Sequence, residues 1–445
     1  MNDRTIVKRN NAFSAVLMGG FICVALFIAA INIFITSPVT READVYEGHF
    51  FSADGFALSQ KKEKDSTLFA EDQHAASLVF PIQYSLIGYN SYACGKSGLR
   101  QRYCDYLYSG RERGKDISLT INHQIQMKCF DVLDELQRDG SVVVLDNDTG
   151  RILCLVSTKE SAYFDANRID DIDFEKISES YLLTPEWEIW SKPGSTFKAI
   201  TGTAMFLSGL EDYVFYDEKG YVEVGDAQIY NAGHTAYGQL YLSKAVNVSS
   251  NTYFVSALKE NETLYDSVKA VCDRFRIGAD IELDFCTLSS DFIYADDEFS
   301  RALTMFGQGD VYITPVHNAM IFSSIASGKL MKPYVVATNT ERTFFDRLMN
   351  RNKTVKPVIL EKDVIKGAEG IREALTLAAE NYGFEDCIAK TGTAELNDEG
   401  TLYQFWLCVA NSDFTVVIST TGEYGYSSDL IAPMQEIIAF VETKY

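Results

Sequence analysis

The chain of 445 residues sets 40 Lys and Arg against 62 Asp and Glu, a formal charge of −22, and is 47% hydrophobic, 13% aromatic and 23% charged. That composition excludes a disordered tail, and the length corresponds to about two or three units of ordinary domain size. Strong acidity argues against a broad nucleic-acid or phosphate-binding surface, and His49, His74, His123, His234 and His317 show no ligand spacing, so neither a nucleic-acid partner nor a metal or other cofactor is expected.

The first element is residues 12–35, which run for 24 positions without a charge. Roughly 20 apolar residues span a bilayer core, so a single transmembrane helix is predicted over 12–36, behind a cytoplasmic tail at 1–11. Arg4, Lys8 and Arg9 precede it against Asp3 alone, which puts the N-terminus in the cytoplasm and everything after the helix outside the cell membrane. The competing reading is a cleaved signal peptide, whose apolar core is usually about 7–15 residues. Residues 37–115 are polar and irregular and read as a small juxtamembrane or pedestal module. Cys94 and Cys104 lie in its loop-like part, and the count of nine cysteines leaves their pairing open. Cys154, Cys387 and Cys408 sit in apolar runs and read as small buried hydrophobes.

At residue 116 the texture changes, and one domain is predicted over 116–445. DISLTI alternates as a strand; Ile125, Cys129, Val132, Leu133 and Leu136 then recur at helical spacing until Gly140. SVVVLDNDTGRILCLVS reads as a hairpin turning at 146–150. Helical stretches follow, chiefly 195–207, 241–258 and 314–327. DCIAKTGTAE, YQFWLCVA and FTVVISTT are three further strands, closed by a helix over about 430–443. Strands at both ends with helices between predict an α+β fold, an antiparallel sheet completed by the two ends and flanked by helices.

Pro193-Gly194-Ser195-Thr196-Phe197-Lys198 opens the first of those helices, with Lys198 three residues after Ser195 and on the same face. A serine hydroxyl is a weak nucleophile without an adjacent base. A lysine can be that base only if burial or a nearby cation lowers its pKa, and the apolar surroundings suit that. Alone, S-x-x-K is a weak pattern, equally an N-cap serine and a solvated lysine. Two further motifs follow in order: Ser249-Ser250-Asn251, which interrupts a helical stretch, and Lys390-Thr391-Gly392-Thr393 on a strand. Together they match the signature of serine β-lactamases and penicillin-binding proteins, with S-S-N in place of S-D-N.

On these motifs, and on GLRQRYCDYLYSG, SLTINHQIQ, FDANR, GHTAYGQLYLSKAVNVSSNTYF and MFGQGDVYITPVHNAM, the chain resembles the class B penicillin-binding proteins, monofunctional and membrane-anchored transpeptidases of the bacterial wall. Ala389 stands where that family often has Gly, and TPEWEIWSKPGS lacks the Asn-Arg pair that relatives tend to carry. The resemblance implies a penicillin-binding transpeptidase, serine β-lactamase-like fold and a peptidoglycan D,D-transpeptidase, inhibited by β-lactams. It implies that Ser195 attacks the D-Ala-D-Ala donor of a stem peptide, Lys198 takes its proton, Ser249 relays a proton with Lys390 nearby, and Asn251 holds the peptide amide. Lys390, Thr391 and Thr393 would face the donor carboxylate, with Gly392 in the same substrate strand, and the N–H groups of Ser195 and Thr393 would form the oxyanion hole. A neighbouring amine would accept the acyl group. A spacer of about 80 residues leaves no room for a glycosyltransferase domain, so a multi-span membrane glycosyltransferase partner is expected. The rival readings are a D,D-carboxypeptidase or β-lactamase, which pass the acyl group to water, and a β-lactam sensor. The GQGDVYITP block favours transfer, and the tail of about 11 residues leaves a sensor no cytoplasmic output domain.

Overall fold

A computed structural model describes residues 45–61, 76–78, 84–91, 95–109, 112–158, 184–338, 340, 355–362, 368–397 and 399–445. The predicted cytoplasmic tail and transmembrane helix, Cys94 and the FDANR segment lie outside the described residues. Among the described residues no helix is long and apolar enough to cross a membrane.

Helix α1 (His123–Glu135) leads into strands β1 (Gly140–Asp146) and β2 (Ile152–Ser157). The middle of the chain is helical: α2 (Lys198–Leu207), α3 (Leu242–Asn247), α4 (Asn251–Glu260), α5 (Leu264–Arg274), α6 (Pro315–Ser327) and α7 (Ala368–Asn381). Strands β3 (Ile388–Glu395), β4 (Tyr403–Ala410) and β5 (Phe414–Gly422) and helix α8 (Ile431–Glu442) close the domain. The five strands form one antiparallel sheet in the order β3-β4-β5-β1-β2. Its two sequence ends meet where Phe414 lies opposite Asp146 and Thr420 opposite Gly140.

The sheet is covered on both faces, which is why β1 and β2 read as unbroken apolar runs rather than alternating ones. Val142, Val144, Phe405, Leu407 and Val416 pack with α1 and α8 on one side. Val143, Leu145, Trp406, Cys408 and Val417 join the core under α2 and α6 on the other. Each such aliphatic side chain contributes about 1.5–3 kcal/mol by leaving water. The turn of the hairpin forms where the sequence puts it. Asp146 Oδ1 accepts the Thr149 N–H at 2.8 Å, and Asp146 Oδ2 meets Arg151 Nη2 at 2.6 Å. Cys154, Cys387 and Cys408 are buried.

One expectation changes. DISLTI is not one strand: only Ile117–Ser118 pairs, parallel to Phe50–Phe51, while Leu119 bridges to Val336 and the Thr120 N–H goes to Val335 O at 2.7 Å. The segment is extended, but its hydrogen bonds are shared between two unrelated partners. The helical stretch 241–258 is interrupted at the Ser249-Ser250-Asn251 motif as expected: α3 and α4 are separated at Val248–Ser250, with Ser249 in the left-handed region at φ +56°.

Before residue 116, the described side chains of Phe50, Leu58, Leu86, Ile87, Leu99 and Leu107 belong to the same core as α2 and α6. Arg100 is buried there, its Nε 3.0 Å from Glu47 Oε1 and its Nη1 3.1 Å from Gly88 O. A desolvated pair of this kind ties its segment firmly, because removing one partner strands a buried charge at a cost of about 3–5 kcal/mol.

Candidate active site

The turn that carries Ser195 is held from below. Ser191 exchanges backbone hydrogen bonds with Ile313, and the Trp406 indole donates to Lys192 O at 3.0 Å. Pro193 then sets φ at −68°, and Gly194–Phe197 forms a 3-10 turn that runs directly into α2. With three residues per turn, positions i and i+3 eclipse, which brings Lys198 over Ser195 more closely than a plain α-helix would. Gly194 is required here. Its φ is +54°, and a Cβ on it would lie 2.5 Å from Thr393 O.

Lys198 is fully buried. Its Nζ lies 2.8 Å from Ser195 Oγ, 2.8 Å from Ser249 O, 2.8 Å from Asn251 Oδ1 and 3.2 Å from Ser249 Oγ. Two of these neighbours can only accept: the Ser249 carbonyl, and Asn251 Oδ1, whose amide is oriented by its Nδ2 donating to Tyr230 O at 2.9 Å. A neutral amine has two N–H groups and one lone pair. The two carbonyls take the N–H groups and leave the lone pair facing the Ser195 hydroxyl. Burial, and next the positive charge of Lys390, hold the Lys198 amine well below the usual ammonium range. Geometry and electrostatics are those that a base toward Ser195 would require.

Lys390, also fully buried, donates to Ser249 Oγ at 3.0 Å and to Thr391 O at 3.0 Å. Its pKa is lowered by burial, against the opposing influence of Tyr382 and Cys408. Ser249 Oγ thus sits between two amines. Its left-handed backbone costs about 1–3 kcal/mol and persists because its carbonyl and hydroxyl are both engaged.

Strand β3 is the edge of the sheet, and its free edge faces these groups. Thr393 is exposed, and its carbonyl accepts from Gln308 Nε2 at 3.3 Å. The N–H and C=O of one residue in an antiparallel ladder point to the same side, so the Thr393 N–H points to the free edge as well. Thr391 is half-buried and its Oγ1 is 3.0 Å from the Tyr382 hydroxyl. Gly392 is buried, and a Cβ there would lie 2.8 Å from Pro193 O, which gives it a close-packing reason beside any contact with substrate. The structure thus gathers Ser195, Lys198, Ser249, Asn251 and Lys390 at one point, with Thr391 and Thr393 along the adjacent edge.

A cleft of about 620 Å³ opens beside this point, lined by Tyr230, Asn251, Phe306, Gln308, Thr393 and Tyr403 among others. A cavity of about 660 Å³ at Arg102, Tyr103, Asp284 and Tyr334 is slightly larger but holds none of the motif residues. The first has Asn251 and Thr393 in its wall and so opens onto the motif cluster, which marks it as the candidate substrate cleft. Among the described residues no group of three His, Cys, Asp or Glu side chains comes together to hold a metal ion. Tyr382 and Gln308 were not given roles from the sequence. Tyr382 follows α7, whose Ile371, Ala374, Leu375 and Ala378 carry a helical period that would have revealed the helix but not the hydroxyl contact. In the TPEWEIW segment, where the Asn-Arg pair is missing, Trp187 is buried against Phe285 at 5.7 Å between ring centres.

The sequence profile of the penicillin binding protein transpeptidase domain matches residues 140–432. Among curated proteins the chain is similar to the peptidoglycan D,D-transpeptidase PbpA of Mycolicibacterium smegmatis, 29% identical over 259 residues that make up 53% of this chain and 51% of the relative. It is also similar to penicillin-binding protein 3 of Bacillus subtilis, 25% identical over 308 residues, covering 64% of this chain and 43% of the relative. The chain spans about half the length of the curated relatives it matches. Among solved structures it superposes on the D,D-transpeptidase domain of a peptidoglycan glycosyltransferase from Eggerthella lenta, with a TM-score of 0.76 and 25% identity over 90% of this chain and 99% of that one. Penicillin-binding protein A from M. tuberculosis, in a ceftriaxone acyl-enzyme complex, superposes with a TM-score of 0.75 and 22% identity over 90% of this chain and 98% of that one, a likeness of fold.

Proposed function

The chain belongs to the penicillin-binding protein transpeptidase family, and on that premise we propose that it is a class B peptidoglycan D,D-transpeptidase working through an acyl-enzyme on Ser195. The observation that carries this reading is the Lys198 amine, buried and 2.8 Å from Ser195 Oγ. Ser195 Oγ gives its proton to Lys198 Nζ and attacks the carbonyl of the penultimate D-Ala of a stem peptide. The oxyanion that forms is met by the N–H groups of Ser195 and Thr393, the largest electrostatic contribution in reactions of this class. The C–N bond to the terminal D-Ala then breaks, and its nitrogen takes a proton by way of Ser249 Oγ, which touches both Lys198 and Lys390. Asn251 holds the donor amide, and Lys390, Thr391 and Thr393 receive the donor carboxylate. In the second half the amine of a neighbouring stem peptide attacks the ester, loses its proton along the same route, and frees Ser195. A β-lactam opens in the first half and stays attached.

The domain limits, the membrane anchor and the partner belong to the same proposal. Residues 12–36 anchor the chain, 37–115 form a pedestal, and 116–445 act outside the membrane, next to a multi-span glycosyltransferase that supplies the glycan strand. Two experiments test it. Purified full-length protein given lipid-linked precursor should yield crosslinked polymer and free D-Ala only when such a polymerase is added; crosslinks from this chain alone would refute the division of labour. Intact spheroplasts treated with a membrane-impermeant fluorescent penicillin should show the labelled protein at once. Labelling only after permeabilisation would reverse the orientation.

A further inference from the structure

Behind the Ser249–Asn251 turn lies a buried polar network that no reacting group enters. Asp217, 1% exposed, accepts the Gly220 N–H on Oδ1 at 2.9 Å; on Oδ2 it accepts Asn231 Nδ2 at 2.7 Å, the Tyr237 N–H at 3.2 Å and the Thr252 hydroxyl at 3.1 Å. Asn231, 2% exposed, gives its other Nδ2 proton to Thr235 O at 2.8 Å. Its Oδ1 accepts the Asn251 N–H at 2.8 Å, the Thr252 N–H at 3.1 Å and the Ser250 hydroxyl at 3.1 Å. The amide orientation follows from chemistry, since a carboxylate only accepts and a backbone N–H only donates.

The first N–H groups of a helix have no partner within it. In α4, the Asn231 carbonyl takes two of them and Ser250 Oγ takes the next, from Tyr253, at 3.2 Å. Tyr230 O takes Asn251 Nδ2 at 2.9 Å. Residues 230 and 231 therefore bind Asn251 by backbone and side chain together, leaving Asn251 Oδ1 as the face turned to Lys198 at 2.8 Å. Ser249, two residues earlier in the same turn, supplies two more Lys198 contacts.

We propose that Asn231 is a positioning residue: locked by Asp217, it holds the Ser249–Asn251 turn in the one arrangement that aims the Lys198 amine at Ser195. This rests on the acyl-transfer reading above. Without Asn231 the Asn251 and Thr252 N–H groups lose their buried acceptor and Asp217 loses a donor, so the turn relaxes and two carbonyls that orient Lys198 move with it. Misplacement on the scale of 1 Å costs up to about a hundredfold in rate.

The test uses full-length wild type, Asn231→Ala and Asn231→Asp, with Ser195→Ala as blank. For each, melting, the final stoichiometry of fluorescent penicillin adduct, and the acylation rate across pH are measured. Asn231→Ala should label completely but roughly tenfold to a hundredfold more slowly per folded molecule, with the acid limb of its pH–rate profile displaced. A folded Asn231→Ala with the wild-type rate and profile, merely melting lower, overturns the proposal and leaves Asn231 as scaffold. If the alanine variant does not fold, Asn231→Asp, equal in volume, decides: a plateau rate lowered roughly tenfold or more supports the proposal and a wild-type rate overturns it, and failure of both to fold counts as scaffold. No adduct on the wild type would remove the transpeptidase reading and this inference with it, whereas a labelled wild type with unchanged variants removes this inference alone.

Discussion

Ser195→Ala should abolish the covalent penicillin adduct altogether while leaving the fold intact. Only the hydroxyl is removed, and among the described residues its one hydrogen-bond partner is Lys198 Nζ at 2.8 Å. Lys198 keeps Ser249 O and Asn251 Oδ1 as acceptors, so no buried donor is orphaned and the melting temperature should stay within a few degrees of wild type. Ser249 Oγ is engaged by two amines, and the Thr391 hydroxyl is committed to Tyr382. Intact-protein mass spectrometry after exposure to penicillin checks this. An adduct on the variant, or one mapped in wild type to any other residue, would falsify the assignment of the nucleophile.

How much of this was readable in the sequence depends on how local each feature is. The 140–157 hairpin and the three C-terminal strands were legible because β-branched runs and turn residues are close in sequence. Their joining into one sheet was legible only as a class, since β5 meets β1 across more than half the chain. DISLTI misled because an extended backbone and a paired strand look the same in sequence; its partners, Phe50–Phe51 and Val335–Val336, are distant. The reactive cluster was legible as three motifs because, although each alone is weak, the three together in that order are hard to obtain by chance. What the sequence withheld is the support beneath them. Asp217 and Asn231 are single polar residues in a loop-rich region, and only burial reveals that both are fully occupied. Tyr382 and Gln308 likewise gain meaning from the approach of β3, not from their neighbours in the chain.

The Lys198 side chain should show the opposite balance between activity and stability. Lys198→Met keeps most of the volume and removes the base, so acylation should slow by roughly a hundredfold to ten-thousandfold, the usual loss with a positioned general base. In the wild type the rate should rise with pH through the titration of Lys198 and level off well below its ordinary value of 10.5, because burial and Lys390 lower its proton affinity; in the variant that limb should vanish. The same shift fixes the sign of a stability effect. Between the lowered folded pKa and 10.5 the unfolded chain binds a proton that the folded chain releases, so wild-type folding is penalised at neutral pH and the penalty lifts as pH rises. The methionine variant lacks this term, although it leaves Ser249 O and Asn251 Oδ1 without a donor, a cost that does not depend on pH in this range. The difference in stability, wild type minus variant, should therefore move in favour of the wild type between about pH 7 and about pH 10. Denaturant unfolding at the two pH values measures it directly. A difference that stays flat, or moves the other way, would mean that Lys198 is an ammonium in the resting enzyme and that its proton must leave before Ser195 can react.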